Sequence, residues 1–64
     1  MDTEAIREKY EALAPIFTER SRRWWAAAEA KSLGYGGIAA VERATGVSRS
    51  TITRGIRELE SGEM

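Results

Sequence analysis

The chain reads as an all-α protein, a small three- to four-helix bundle containing a helix-turn-helix. Three observations predict this. Apolar residues recur at helical spacing, as Ile6, Tyr10 and Leu13 near the start and as Ile52, Ile56 and Leu59 near the end. The residues between them are rich in Ala, Glu, Arg and Leu, all good helix formers. Breaks fall at Pro15, Gly34 and Gly46, and no stretch alternates apolar and polar residues as a strand would. With 64 residues there is room for one domain, spanning 1–64, and one small core.

The first helix is expected over about 3–14. Asp2 or Thr3 can cap it, and Glu4 suits the positive end of the helix dipole. Pro15 disfavours helical geometry at Ala14, so the helix ends or kinks there, and Ile16 and Phe17 are expected to drop back into the core. The second helix is expected over 19–33, capped by Thr18 and stopped by Gly34, with Trp24-Trp25-Ala26-Ala27-Ala28 as a strongly apolar block. Tyr35-Gly36-Gly37 then forms a flexible connector. The third helix is expected over 38–45, with Ile38, Val41 and Ala44 or Thr45 turned inward. The fourth is expected over 49–59, and Ser61-Gly62-Glu63-Met64 reads as a frayed end.

The run from Ala44 to Ile52 carries the most information. Gly46 can adopt the left-handed conformation that ends one helix abruptly. Ser48 can cap the next, and Val47 is the apolar residue expected to tuck beneath the corner. A second helix projected in this way fits the DNA major groove, which is ~12 Å wide. With Ile52, Ile56 and Leu59 buried, the opposite face carries Arg49, Ser50, Thr53, Arg54 and Arg57. Arginine can bond guanine O6 and N7 as a fork, and hydroxyls can bond bases or phosphates. The expected base contacts are Arg49, Ser50, Thr53 and Arg54. The expected phosphate contacts are Ser48, Thr51 and Arg57, together with Arg22 and Arg23 from the second helix. The cluster Arg20, Arg22, Arg23 has two open readings, a support on the phosphate backbone or a solvated helix start. The plainer reading of Arg49, Arg54 and Arg57 is a solvated face paired with acids one turn away, such as Glu58; the coincidence of turn, cap and hydroxyl-rich helix start favours DNA.

Net charge is zero, but it is segregated. Residues 1–19 carry −3, residues 20–57 carry +6 and residues 58–64 carry −3. Charges act over a Debye length of ~8–10 Å, so the basic block that contains the turn outweighs the sum.

Other chemistry is poorly supplied. Without histidine or cysteine the chain lacks the usual general base, the commonest metal ligand and any disulfide. The scattered acids form no arrangement that marks a metal pair, so no catalytic residue, metal or cofactor is expected. Gly34-Tyr35-Gly36-Gly37 lacks the spacing and preceding strand of a phosphate loop. It does let the third helix start sharply and bring its amides near a phosphate. Nothing reads as a signal peptide or as the ~18 apolar residues needed to span a bilayer. Trp24 and Trp25 are expected to serve mainly in core packing. One departure concerns Glu42: four residues before the turn glycine many such motifs have a small residue. Its carboxylate must swing outward, or the two helices must cross more widely.

The order of these pieces resembles a known family. The opening Ile6-Arg7-Glu8-Lys9-Tyr10-Glu11-Ala12-Leu13-Ala14-Pro15, the block Glu19 to Ala30 with Arg22-Arg23-Trp24-Trp25-Ala26-Ala27-Ala28-Glu29-Ala30, and the stretch Gly36 to Ile52 look like the N-terminal region of bacterial insertion-sequence transposases of the Rhodopirellula type. The turn is shared with many regulators; the opening and the Trp-Ala block are more particular to this family. The resemblance implies recognition of the terminal inverted repeats of a mobile element, with a DDE catalytic domain downstream. No DDE acid maps onto this chain, so catalysis is not expected from it. The implied partner is double-stranded DNA in the bacterial cytoplasm, in association with the nucleoid, with no membrane and no small-molecule substrate. Self-association would belong to the full-length parent. Two alternatives are a small transcription regulator, which would need a dimer surface and a palindromic site, and a helical module that binds proteins through an exposed Trp24-Trp25 patch.

Overall fold

The computed structural model describes residues 2–62, and within them the chain is all-α: four helices and one 3₁₀ turn, with no strand. Helix α1 spans Thr3–Leu13. Asp2 caps it, its carboxylate accepting the Glu4 and Ala5 N–H groups at 3.0 and 3.2 Å. Pro15 sits inside a 3₁₀ turn, Ala14–Ile16, so the α-helical geometry stops one residue before the expected 14. Helix α2 spans Glu19–Leu33, the expected bounds. Thr18 and Ser21 cap each other's backbone in a reciprocal box. That arrangement satisfies two of the amides a helix start leaves free.

Helix α3 spans Gly37–Thr45, one residue earlier than expected, and helix α4 spans Arg49–Ser61, two residues longer. The last turn of α4 therefore takes in Ser61, which is helical rather than frayed, and Gly62 closes the helix. Glu63 and Met64 lie outside the described residues.

Packing places α2 at the centre. Ala26, Ala27 and Ala30 are buried, and their small side chains let α3 and α4 come close. Val41 and Ile52 are the largest side chains fully removed from water. Ile6, Ala40, Ala44 and Val47 complete the core, with Tyr10, Trp25, Leu33, Ile38 and Ile56 packed around it.

Ile16 corrects the sequence reading. It is 75% exposed. The 3₁₀ turn after Leu13 gives the inward place to Phe17, whose ring lies 5.8 Å from both Tyr10 and Trp25. Tyr10 and Trp25 are themselves 5.7 Å apart, so three rings close the end of the core beneath that turn.

Helix α4 touches α2 at a glycine. A Cβ on Gly55 would come within 2.8 Å of the Arg23 carbonyl oxygen and 2.9 Å of the Ala27 Cβ. No real Cβ makes such contacts without displacement. Gly55 is therefore the residue that lets α4 lie directly on the backbone of α2.

Candidate nucleic-acid interface

The turn between α3 and α4 takes the expected form. Gly46 has φ 80°, the left-handed region where a Cβ would be strained, and its N–H donates to the Glu42 carbonyl at 2.9 Å. Thr45 Oγ1 donates to the Val41 carbonyl at 2.7 Å and accepts the Val47 N–H at 3.1 Å. Val47 is buried under the corner. Ser48 Oγ accepts the Thr51 N–H at 3.2 Å and so caps α4.

This fixes the orientation of α4. Ile52 is fully buried and Ile56 and Leu59 are half-buried, so the other side of the helix faces outward. Arg49, Ser50, Arg54 and Arg57 are exposed there, and Thr53 is half-buried beside them. The Arg49 and Arg54 side chains are 65% and 67% exposed, which leaves both within reach of an external partner.

At the start of α4 the chain brings together residues distant in sequence. A cleft of about 360 Å³ is lined by Tyr10, Glu19, Arg22, Arg23, Thr45, Gly46, Val47, Ser48 and Thr51. Arg22 and Arg23 from α2 and Ser48 and Thr51 from α4, four of the five residues expected on phosphates, share this cleft. Arg22 Nε is shielded from water and has no hydrogen-bond partner among the described residues. Arg57, the fifth, lies further along the exposed face of α4 and does not line the cleft.

Arg23 lines the same cleft but is turned to partners within the chain rather than outward. It is 5% exposed. Its Nη1 bonds both carboxylate oxygens of Glu19 at 2.7 and 2.8 Å, and its Nε bonds Glu58 Oε1 at 2.7 Å. A guanidinium held in this way is committed to the fold, and no phosphate is needed to neutralise it. The reason is tertiary: Glu58 reaches across from α4.

Glu58 anchors a small network. Its Oε1 also accepts the Trp24 indole N–H at 2.8 Å, and its Oε2 accepts Arg54 Nε at 3.2 Å. Hydrogen bonds from Arg23 and then Trp24 hold the Glu58 carboxyl below the usual carboxylate range, against the opposing effect of desolvation. The bonds to Glu58 and then Glu19 raise the Arg23 guanidinium further above its already high value.

Glu42 swings outward, the first of the two expected alternatives. One carboxylate oxygen accepts the Arg49 N–H at 3.3 Å and the other lies 3.9 Å from Arg49 Nε. The N-terminus of α4 thus already holds one carboxylate on its α3 side. Helix α3, by contrast, starts without a side-chain cap, beside the fully exposed Tyr35.

Trp24 and Trp25 serve different neighbours. Trp25 joins the rings of Tyr10 and Phe17, whereas Trp24 bonds Glu58 and lies under the Arg20 guanidinium at 5.7 Å. Both are half-buried, and each is engaged within the chain.

Among the described residues no group of acids, histidines or cysteines is placed to hold a metal ion, and no helix is long and apolar enough to cross a membrane. Comparison with protein-family models, curated proteins and solved structures found no match to this chain.

Proposed function

We propose that this chain is a sequence-specific DNA-binding module that lays the outer face of α4 in the major groove of a duplex. One observation carries the reading: a guanidinium from α2 and two hydroxyls from the first turn of α4 line a single cleft at the end of an exposed row of Ser50, Arg54 and Arg57. In such a pose the row meets base edges while the cleft takes a backbone phosphate. Arg49, Ser50, Thr53 and Arg54 would read bases; Arg22, Ser48 and Thr51 would hold one phosphate and Arg57 another.

The family context rests on the resemblance alone. On that ground the proposed target is the terminal inverted repeat of a bacterial mobile element, bound in the cytoplasm by a transposase whose chemistry lies in another domain. The protein-interaction alternative draws no support from the tryptophans, since both rings have partners within the chain.

Fluorescence anisotropy with labelled duplexes over a range of salt tests the reading. Binding must weaken with salt at a logarithmic slope of about −0.9 per phosphate neutralised. A chain whose weak association ignores salt would contradict it.

A further inference from the structure

We infer that Glu58 is a positioning residue for Arg54, fixing that guanidinium as a forked reader of guanine. The inference rests on the DNA-binding reading and adds a specificity device to it. Exposed pairs one helical turn apart are ordinarily loose, worth ~0.3–0.5 kcal/mol, because both side chains must be ordered. This pair differs at one end. The Glu58 side chain is only 17% exposed, and its Oε1 is held by two donors from α2, Arg23 Nε at 2.7 Å and Trp24 Nε1 at 2.8 Å. That leaves Oε2 aimed at Arg54, which donates its Nε at 3.2 Å.

The chain of alternating charge runs Glu19, Arg23, Glu58, Arg54, from the start of α2 to the outside of α4. Its last member is 67% exposed. With Nε engaged, the two terminal amino groups of Arg54 are left for an outside acceptor pair. Guanine O6 and N7 form such a pair, and a guanidinium fixed beforehand loses less freedom on meeting them. Phosphate accepts an arginine at many angles, so a fixed fork adds more to base reading than to backbone binding. Trp24, Arg20 and Arg23 complete a polar recess of about 260 Å³ with Arg54 and Glu58, so the device is built from two helices rather than one.

The test is selection from a pool of short duplexes with a randomised core, run on the wild-type chain and on variants, with salt dependence measured on the selected duplex. Glu58→Gln keeps an oxygen for Arg23 and Trp24 but turns a donor toward Arg54. The expected result is that Arg54→Ala and Glu58→Gln relax the same guanine position, each by about tenfold, while the salt slope for Glu58→Gln stays at the wild-type value. Relaxation by Arg54→Ala without any by Glu58→Gln overturns the inference, as does an unchanged site for Arg54→Ala. If circular dichroism shows that Glu58→Gln has lost helix, Arg54→Lys decides. It keeps the charge without the fork, so it must lose the same preference, and full retention overturns the inference. A wild-type chain that enriches no sequence overturns the DNA-binding reading itself.

Discussion

The Cβ of Ala27 lies 2.9 Å from the point where a side chain on Gly55 would begin. Two helices distant in sequence therefore meet at backbone contact, and the meeting point sets the height at which α4 stands above the core. Helix propensity alone favours alanine over glycine in a helix interior by ~1 kcal/mol. Packing reverses the sign here, because the nearest atoms include the Arg23 carbonyl, which cannot move alone. Gly55→Ala is expected to destabilise the fold by ~1–3 kcal/mol in chemical denaturation. A gain in stability would show that α4 rides further from α2 than described.

Ser48 separates fold from binding. Ser48→Ala removes the cap on α4 and is expected to cost ~1 kcal/mol. Ser48→Asp caps about as well and suits the helix dipole, so stability should stay near wild type. It also puts a negative charge into the cleft shared with Arg22 and Thr51. Duplex affinity measured by anisotropy should then fall although the melting curve does not.

Acid should act through Glu58. Its folded-state pKa is depressed, so its contribution is complete above the unfolded carboxylate value of ~4.3 and is lost as pH falls through the lower folded value. Arg23 stays charged throughout and adds no pH dependence in this range. Thermal melts followed by circular dichroism should change little between neutral pH and about pH 5, then drop more steeply in wild type than in Glu58→Gln. Equal acid sensitivity of the two would remove Glu58 from the account.

Ile16 offers a contrast with the core. At 75% exposure it has little burial to lose, and Ile16→Lys is expected to change stability by no more than ~0.5 kcal/mol. Phe17→Ala, one residue on, breaks the ring cluster with Tyr10 and Trp25 and should lower the melting temperature clearly. Denaturation curves of the two variants measured side by side check the pair.

What the sequence made legible was local. Thr18 and Ser48 as caps, Gly46 as the left-handed stop and the stripe led by Ile52 follow from backbone rules that act within a turn or two, and each appears in the structure. What it concealed was tertiary. Arg23 read as a surface base because its partner Glu58 lies 35 residues away. Gly55 drew no notice in the sequence, although it falls three residues after Ile52 on the same face, the one signal that it sits against a neighbour. Ile16 and Phe17 could not be told apart without the 3₁₀ turn, whose tighter winding shifts which of two adjacent residues faces in. The gathering of Arg22 with Ser48 and Thr51 likewise needs the packing of α2 against α4.

The central claim is that the outer face of α4 and the cleft at its start form one duplex-binding surface. Amide chemical-shift mapping of the labelled chain, titrated with the duplex it selects and with a scrambled duplex, tests this most directly. The account predicts that the selected duplex shifts signals from Ser48 to Arg57 and at Arg22, while α1 outside Tyr10, which lines the cleft, stays unmoved. Shifts confined to α1 and the Ala14–Ile16 turn, or the same weak response to both duplexes, would contradict it.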